Sequence, residues 1–97
     1  NKAKVVEIAT FDLGEGVSVE DFAKVDARVE AEHVSQQPGF VSRETGATET
    51  GWVAIVHWET AADAQASMDS FPTAPAAADF MGMMNAETMR MTRYDIN

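Results

Sequence analysis

Residues 40–59, Phe-Val-Ser-Arg-Glu-Thr-Gly-Ala-Thr-Glu-Thr-Gly-Trp-Val-Ala-Ile-Val-His-Trp-Glu, decide the fold of this chain. Two runs rich in β-branched and aromatic side chains, Phe40 to Thr48 and Gly51 to Glu59, flank a short turn at Glu49-Thr50-Gly51. That pattern predicts a β-hairpin. Its second run, Trp52 to Trp58, is the strongest strand signal in the chain. Upstream, Pro38-Gly39 ends a helical pattern in which Phe22, Val25 and Val29 recur every three or four residues up to about Gln36. Ser18 with Asp21 forms its N-terminal cap, and Lys4 to Phe11 precedes it as a first strand, closed by the loop at Gly14-Glu15-Gly16. Downstream, Thr60 and Asp63 repeat the cap before a narrow stripe of Ala61, Ala64, Met68 and Phe71. Pro72 and Pro75 interrupt it, Ala76 to Met84 reads as one more short helix, and Glu87 to Ile96 alternates as a closing strand. The order is βαββαβ, a ferredoxin-like α+β domain occupying residues 1–97. Right-handed crossovers place both helices on one face of a four-stranded antiparallel sheet.

Such a sheet has a second face. In the Trp52–Glu59 strand, Trp52, Ala54, Val56 and Trp58 share one side while Val53, Ile55, His57 and Glu59 share the other. Both sides are apolar enough to be covered, and a domain this small buries its surface poorly alone. A second copy of the chain is therefore the expected cover, giving a homodimer.

Charge excludes other partners. Sixteen acidic against seven basic residues give a formal charge of −9, a field that repels phosphate backbones and anionic lipids. Arg28, Arg43, Arg90 and Arg93 are scattered along the sequence, so neither nucleic acid nor membrane is expected. No apolar run approaches the roughly 20 residues that cross a bilayer. The chain begins at Asn1 rather than Met, which leaves room for a leader; cytoplasm is the default location. With no cysteine, thiolate metal sites and cysteine nucleophiles drop out.

Residues able to carry chemistry gather on the first helix. At about 100° per residue, Phe22, Val29 and His33 line up along the stripe that faces the sheet, with Asp26 beside it and Glu30 at its margin. His33, oriented by Asp26, has the chemistry of a general acid or base near neutral pH; held locally by hydrogen bonds, it is a structural residue instead. Glu30 and His33 also have the spacing of a carboxylate–histidine metal site, to which Asp26 or His57 would add a third ligand. Chance produces that spacing often, and no metal is expected. On the last strand Arg90, Thr92, Tyr94 and Ile96 share one side, so His57 with Tyr94 or Arg90 is a second possible pocket set. The methionines, five of them between Met81 and Met91, read as core.

Gln37-Pro38-Gly39-Phe40, the run Val56-His57-Trp58-Glu59-Thr60 followed by Ala64, and the tail from Phe80-Met81 through Met89, Tyr94 and Ile96 together resemble the antibiotic-biosynthesis-monooxygenase-type family of dimeric α+β barrels. The resemblance spans nearly the whole chain. It implies sheet-to-sheet pairing of two copies, and a pocket for a small-molecule ligand. Haem-degrading members carry an Asn on strand one, a Trp in helix two and a later His, none of which stands here, so haem is not implied. Quinone-forming members use a Trp, an Asn and Tyr or Arg, roles that Trp58, Arg90 and Tyr94 match in part. The expected function is cofactor-independent oxygenation of an aromatic or quinol-like substrate. His33 and Asp26 would remove a proton, Arg90 or Tyr94 would steady the anion, and Phe22, Glu30, His57 and Trp58 would line the substrate site. The alternative is a non-catalytic binding or interaction module filled by its own side chains.

Overall fold

The computed structural model describes residues 2–97. The chain runs β1 (Val5–Leu13), α1 (Val19–Glu32), a 3-10 turn (Val34–Gln36), β2 (Phe40–Ala47) and β3 (Gly51–Trp58). It continues through α2 (Ala61–Ser70), a second 3-10 turn (Phe71–Thr73), α3 (Ala77–Met83) and β4 (Met84–Asp95). The four strands form one antiparallel sheet in the order β2-β3-β1-β4. This is the expected βαββαβ arrangement. Both expected caps form: the Ser18 hydroxyl accepts the Asp21 N–H, and the Thr60 hydroxyl accepts the Asp63 N–H, each at 3.0 Å.

The structure departs from the sequence reading by more than one residue at three element ends. α1 stops at Glu32 because His33 leaves helical geometry (φ −133°), and the rest of the expected helix becomes the 3-10 turn. β4 begins at Met84, directly after α3 and three residues ahead of the expected Glu87. Met84 and Asn85 pair with Leu13 and Asp12, while Arg90 pairs with Thr10, so the strand bulges between them. The same pairing lengthens β1 to Leu13.

Gly39 turns the chain into β2 at φ +82°, where the Asp63 side chain lies over its α-carbon. A side chain there would have neither a relaxed backbone nor space.

Strand alternation sorts the sheet residues into rows. Under the helices one row crosses all four strands as Arg43, Val56, Glu7 and Arg93. Its neighbours are Trp58, Val5 and Asp95 on one side, and Thr45, Ala54, Ala9 and Met91 on the other. The core fills the space between these rows and α1, α2 and α3. Phe22, fully buried on α1, meets Phe11, Trp52 and Phe80 with ring centroids 5.0–5.6 Å apart. Trp58, equally buried, takes Phe40 edge-on at 5.9 Å.

Candidate functional site

Two ion clusters sit on the helix side of the sheet. α1 lays Asp26 and Glu30 over β2, and both reach Arg43. The Asp26 carboxylate takes the guanidinium with both oxygens, at 2.7 and 2.8 Å, and Glu30 accepts a further bond at 2.9 Å. Burial alone would lower the pKa of Arg43. The hydrogen bonds and negative charges of Asp26, then of Glu30, outweigh it and raise that pKa above its ordinary value. The second cluster is Glu7 on β1, whose Oε2 accepts both Nε and Nη2 of Arg93 at 2.9 and 2.7 Å.

His33 does not meet Asp26. Its ring stands at the C-terminal end of α1, edge-on to Phe71. Nε2 lies 3.1 Å from the Ser70 hydroxyl at the end of α2, and Nδ1 lies 3.4 Å from the Gln37 amide nitrogen. The expected His33–Asp26 couple is therefore corrected, because Arg43 takes both Asp26 oxygens. The metal option falls for the same reason: Asp26 and Glu30 are spent on Arg43, and His57 lies across the sheet. Among the described residues no group of three potential ligands stands close enough to hold an ion.

His57, Arg90 and Tyr94 all face the other side of the sheet, away from the helices. There Ser42, His57, Val6 and Tyr94 form one row, Glu44, Ile55, Ile8 and Thr92 the next, and Gly46, Val53, Thr10 and Arg90 the third. Tyr94 is 48% exposed, and among the described residues the Arg90 guanidinium donates only to the carbonyl of its neighbour Met89. The residues expected to form one catalytic site thus divide between two faces. Phe22, Asp26, Glu30, His33 and Trp58 lie under the helices, while His57, Arg90 and Tyr94 lie on the open face.

The helix-side interior has a chemical irregularity. Among the described residues, neither the Trp52 nor the Trp58 indole N–H has a hydrogen-bond partner, although both nitrogens are buried. Buried donors are nearly always paired. Both tryptophans belong to one core cluster with Phe11, Phe22, Phe80, Ala64 and Ala76, in which Phe22 meets Trp52 and Phe40 meets Trp58 ring to ring. A groove of about 250 Å³ opens between α1 and β2, lined by Asp26, Glu30, Thr45 and Trp52 among others. A wider cleft of about 570 Å³ lies at the chain ends, by Lys2, Lys4, Glu59 and Asp95.

Sequence reasoning missed Glu7, Arg43, Arg93 and Ser70. Alternation held the signal for Glu7, because Val5 and Phe11 mark the core-facing side of β1 and Glu7 shares it. Arg43 falls likewise in the row of Val56. Ser70 gave no local signal, since only the packing of α2 against the end of α1 brings it to His33.

No family model matches the chain, and no curated protein matches it. Solved structures do. SnoaB of Streptomyces nogalater, a cofactor-independent oxygenase, is similar at 19% identity and TM-score 0.78 over 99% of this chain and 95% of its own. The ActVA-Orf6 monooxygenase of Streptomyces coelicolor, solved with nanaomycin D, is similar at 17% identity and TM-score 0.71 over 98% and 88%. A dimeric ferredoxin-like protein of unknown function from Thermobifida fusca is similar at 14% and 0.73 over 97% and 92%. The chain therefore has the ferredoxin-like fold that these monooxygenases share, as the resemblance implied.

Proposed function

We propose that this chain is a subunit of a homodimeric, cofactor-independent oxygenase of the monooxygenase-like class, acting on an aromatic or quinol-like substrate held between the sheet and the helices. The observation that carries this reading is the pair of buried, unpartnered indole N–H groups of Trp52 and Trp58 within a ring-lined interior. A ring bearing a carbonyl or phenolate oxygen would stack on those rings and give an indole its missing acceptor. The substrate supplies the electrons. A base removes a C–H proton, the carbanion's electron pair forms a C–O bond to dioxygen, and the hydroperoxide so formed loses water, leaving a carbonyl. One dioxygen is consumed and one water released, with no outside reductant.

His33 is the base in this scheme. Its Nε2 is held by Ser70 of α2, so a movement of α2 that admits substrate also frees the ring. Asp26 acts by fixing α1 through Arg43, not by orienting His33. The open face, with Val6, Ile8, Val53 and Ile55 at its centre and His57, Arg90 and Tyr94 around them, is where the second copy packs. The test is oxygen uptake with anthrone, whose conversion to anthraquinone has this stoichiometry. Uptake should fall on the order of 10²-fold in His33→Ala. Undiminished uptake in that variant would remove His33 from the role.

One observation favours a second reading, a non-catalytic interaction module. Phe22 packs ring to ring with Phe11, Trp52 and Phe80, so the chain's own side chains occupy the space a substrate would need. Under that reading anthrone does not bind, and oxygen uptake with the protein present stays at the rate of buffer alone.

A further inference from the structure

We propose that Gln37 is a positioning residue for His33: its side-chain amide holds the imidazole with its proton on Nε2 and its lone pair on Nδ1. The ring is 7% exposed and bridges two parts of the chain. Nε2 meets the Ser70 hydroxyl of α2, and Nδ1 meets the amide of Gln37, which links the 3-10 turn to β2. Among the described residues no charged group bonds to either nitrogen, so these neutral partners set the tautomer.

A neutral imidazole has one donor and one acceptor nitrogen. Which is which follows from a backbone atom. The end of the Gln37 amide that lies 3.4 Å from Nδ1 also lies 3.2 Å from the His33 carbonyl oxygen. A carbonyl only accepts, so the NH₂ end must be the one turned to it. Exchanging the amide oxygen and nitrogen would set two acceptors 3.2 Å apart. With one amide N–H on the carbonyl, the other is left for Nδ1, which is then the acceptor. Nε2 keeps the proton and donates it to Ser70 Oγ. The hydrogen of Ser70 has two acceptors within reach, the Ser67 carbonyl at 3.3 Å and the Gln37 amide oxygen at 3.5 Å. The opposite tautomer would set Nδ1–H against an amide N–H and leave both unpaired.

For the oxygenase reading, on which this step alone rests, Nδ1 is the nitrogen that takes the proton. A movement of α2 that removes Ser70 uncovers an N–H, and the base acts once the Gln37 amide has drawn back as well. On transfer the substrate C–H bond breaks and its proton bonds to Nδ1. The ring becomes a cation with an N–H on each side, the electron pair stays on the substrate carbon, and nothing is oxidised.

The test is nitrogen-15 NMR of the imidazole nitrogens at a pH well above the ordinary imidazole range, where the ring is neutral. The resonances missing from His33→Ala separate this ring from that of His57. The unaltered protein should show the His33 proton on Nε2 alone. A free imidazole leans the same way, so the decisive variant is Gln37→Glu, whose carboxylate only accepts and should move the proton to Nδ1. Should Gln37→Glu not fold, Gln37→Met, which keeps the length and removes the amide, should let the second tautomer appear. Gln37→Glu should also cut oxygen uptake with anthrone roughly tenfold or more, because Nδ1 has lost its lone pair. A His33 proton on Nδ1 in the unaltered protein, or a tautomer that neither substitution moves, would overturn the proposal. So would undiminished uptake in a Gln37→Glu variant whose proton has moved. Reversal of the tautomer in a protein that never turns over anthrone would sustain the hold of Gln37 on the ring while sinking the oxygenase reading. Turnover with an unmoved tautomer would do the reverse.

Discussion

Single residues decide what the helix side can do, and the Asp26–Arg43 pair shows how tightly one contact constrains the rest. With both side chains buried and bonded through two oxygens, removing one partner leaves a charge without compensation. Asp26→Ala should therefore cost about 3–5 kcal/mol in urea unfolding; a cost under about 1 kcal/mol would show that the pair is solvated. The raised pKa of Arg43 has a definite sign. A cation whose folded pKa is raised contributes stability that is fully present below its unfolded value and lost only as pH rises through the folded one. That window lies in strong alkali, so Arg43 stays charged throughout the range in which the protein would work. His33 was legible as a polar group at the edge of an apolar stripe. Its partners were not, because Ser70 lies 37 residues away and no periodicity links them. Glu7 was legible in principle from alternation alone, and was hidden because a single acidic residue in a strand ordinarily reads as solvent-facing.

At the scale of elements, the hairpin of β2 and β3 fixes the topology, and its pattern showed in the sequence to within a residue at either strand end. Local chemistry did the same for the caps at Ser18 and Thr60. The bulge in β4 was not legible, since it comes from pairing Asn85 with Asp12 while Arg90 stays with Thr10, a fact about β1 as much as β4. Alternation correctly put Trp58 and His57 on opposite sides of β3. It could not say which side carried the helices, so His57, Tyr94 and Arg90 were grouped with residues they never approach. The open face also makes a prediction for the sheet as an element. Ile55 and Ile8 stand opposite each other at its centre, where Ile55→Asp would bury a carboxylate in the proposed seam. Sedimentation should then find the 10.5 kDa protomer in place of a species of twice that mass. A dimer that survived Ile55→Asp would mean that the copies pair elsewhere.

For the molecule as a whole, one sheet serves two tasks. Its open face has an apolar centre of Val6, Ile8, Val53 and Ile55, the proposed seam for a second copy. Its helix face holds a ring-lined core with arginines drawn in from both edge strands, Arg43 from β2 and Arg93 from β4. No described helix is long and apolar enough to cross a membrane. The fold is shared with oxygenases and with proteins of unknown function alike, so function must be argued from the interior. The central claim is that this interior admits a ring and offers it an indole N–H. The chain has two tryptophans, hence two indole N–H signals in a nitrogen-15 correlation spectrum, and both can be followed while anthrone is added without oxygen. The account expects the Trp52 or Trp58 signal to shift in a saturable way as its nitrogen gains an acceptor. Two signals that stay fixed up to the solubility limit of anthrone would contradict it, and would leave a core that is simply full.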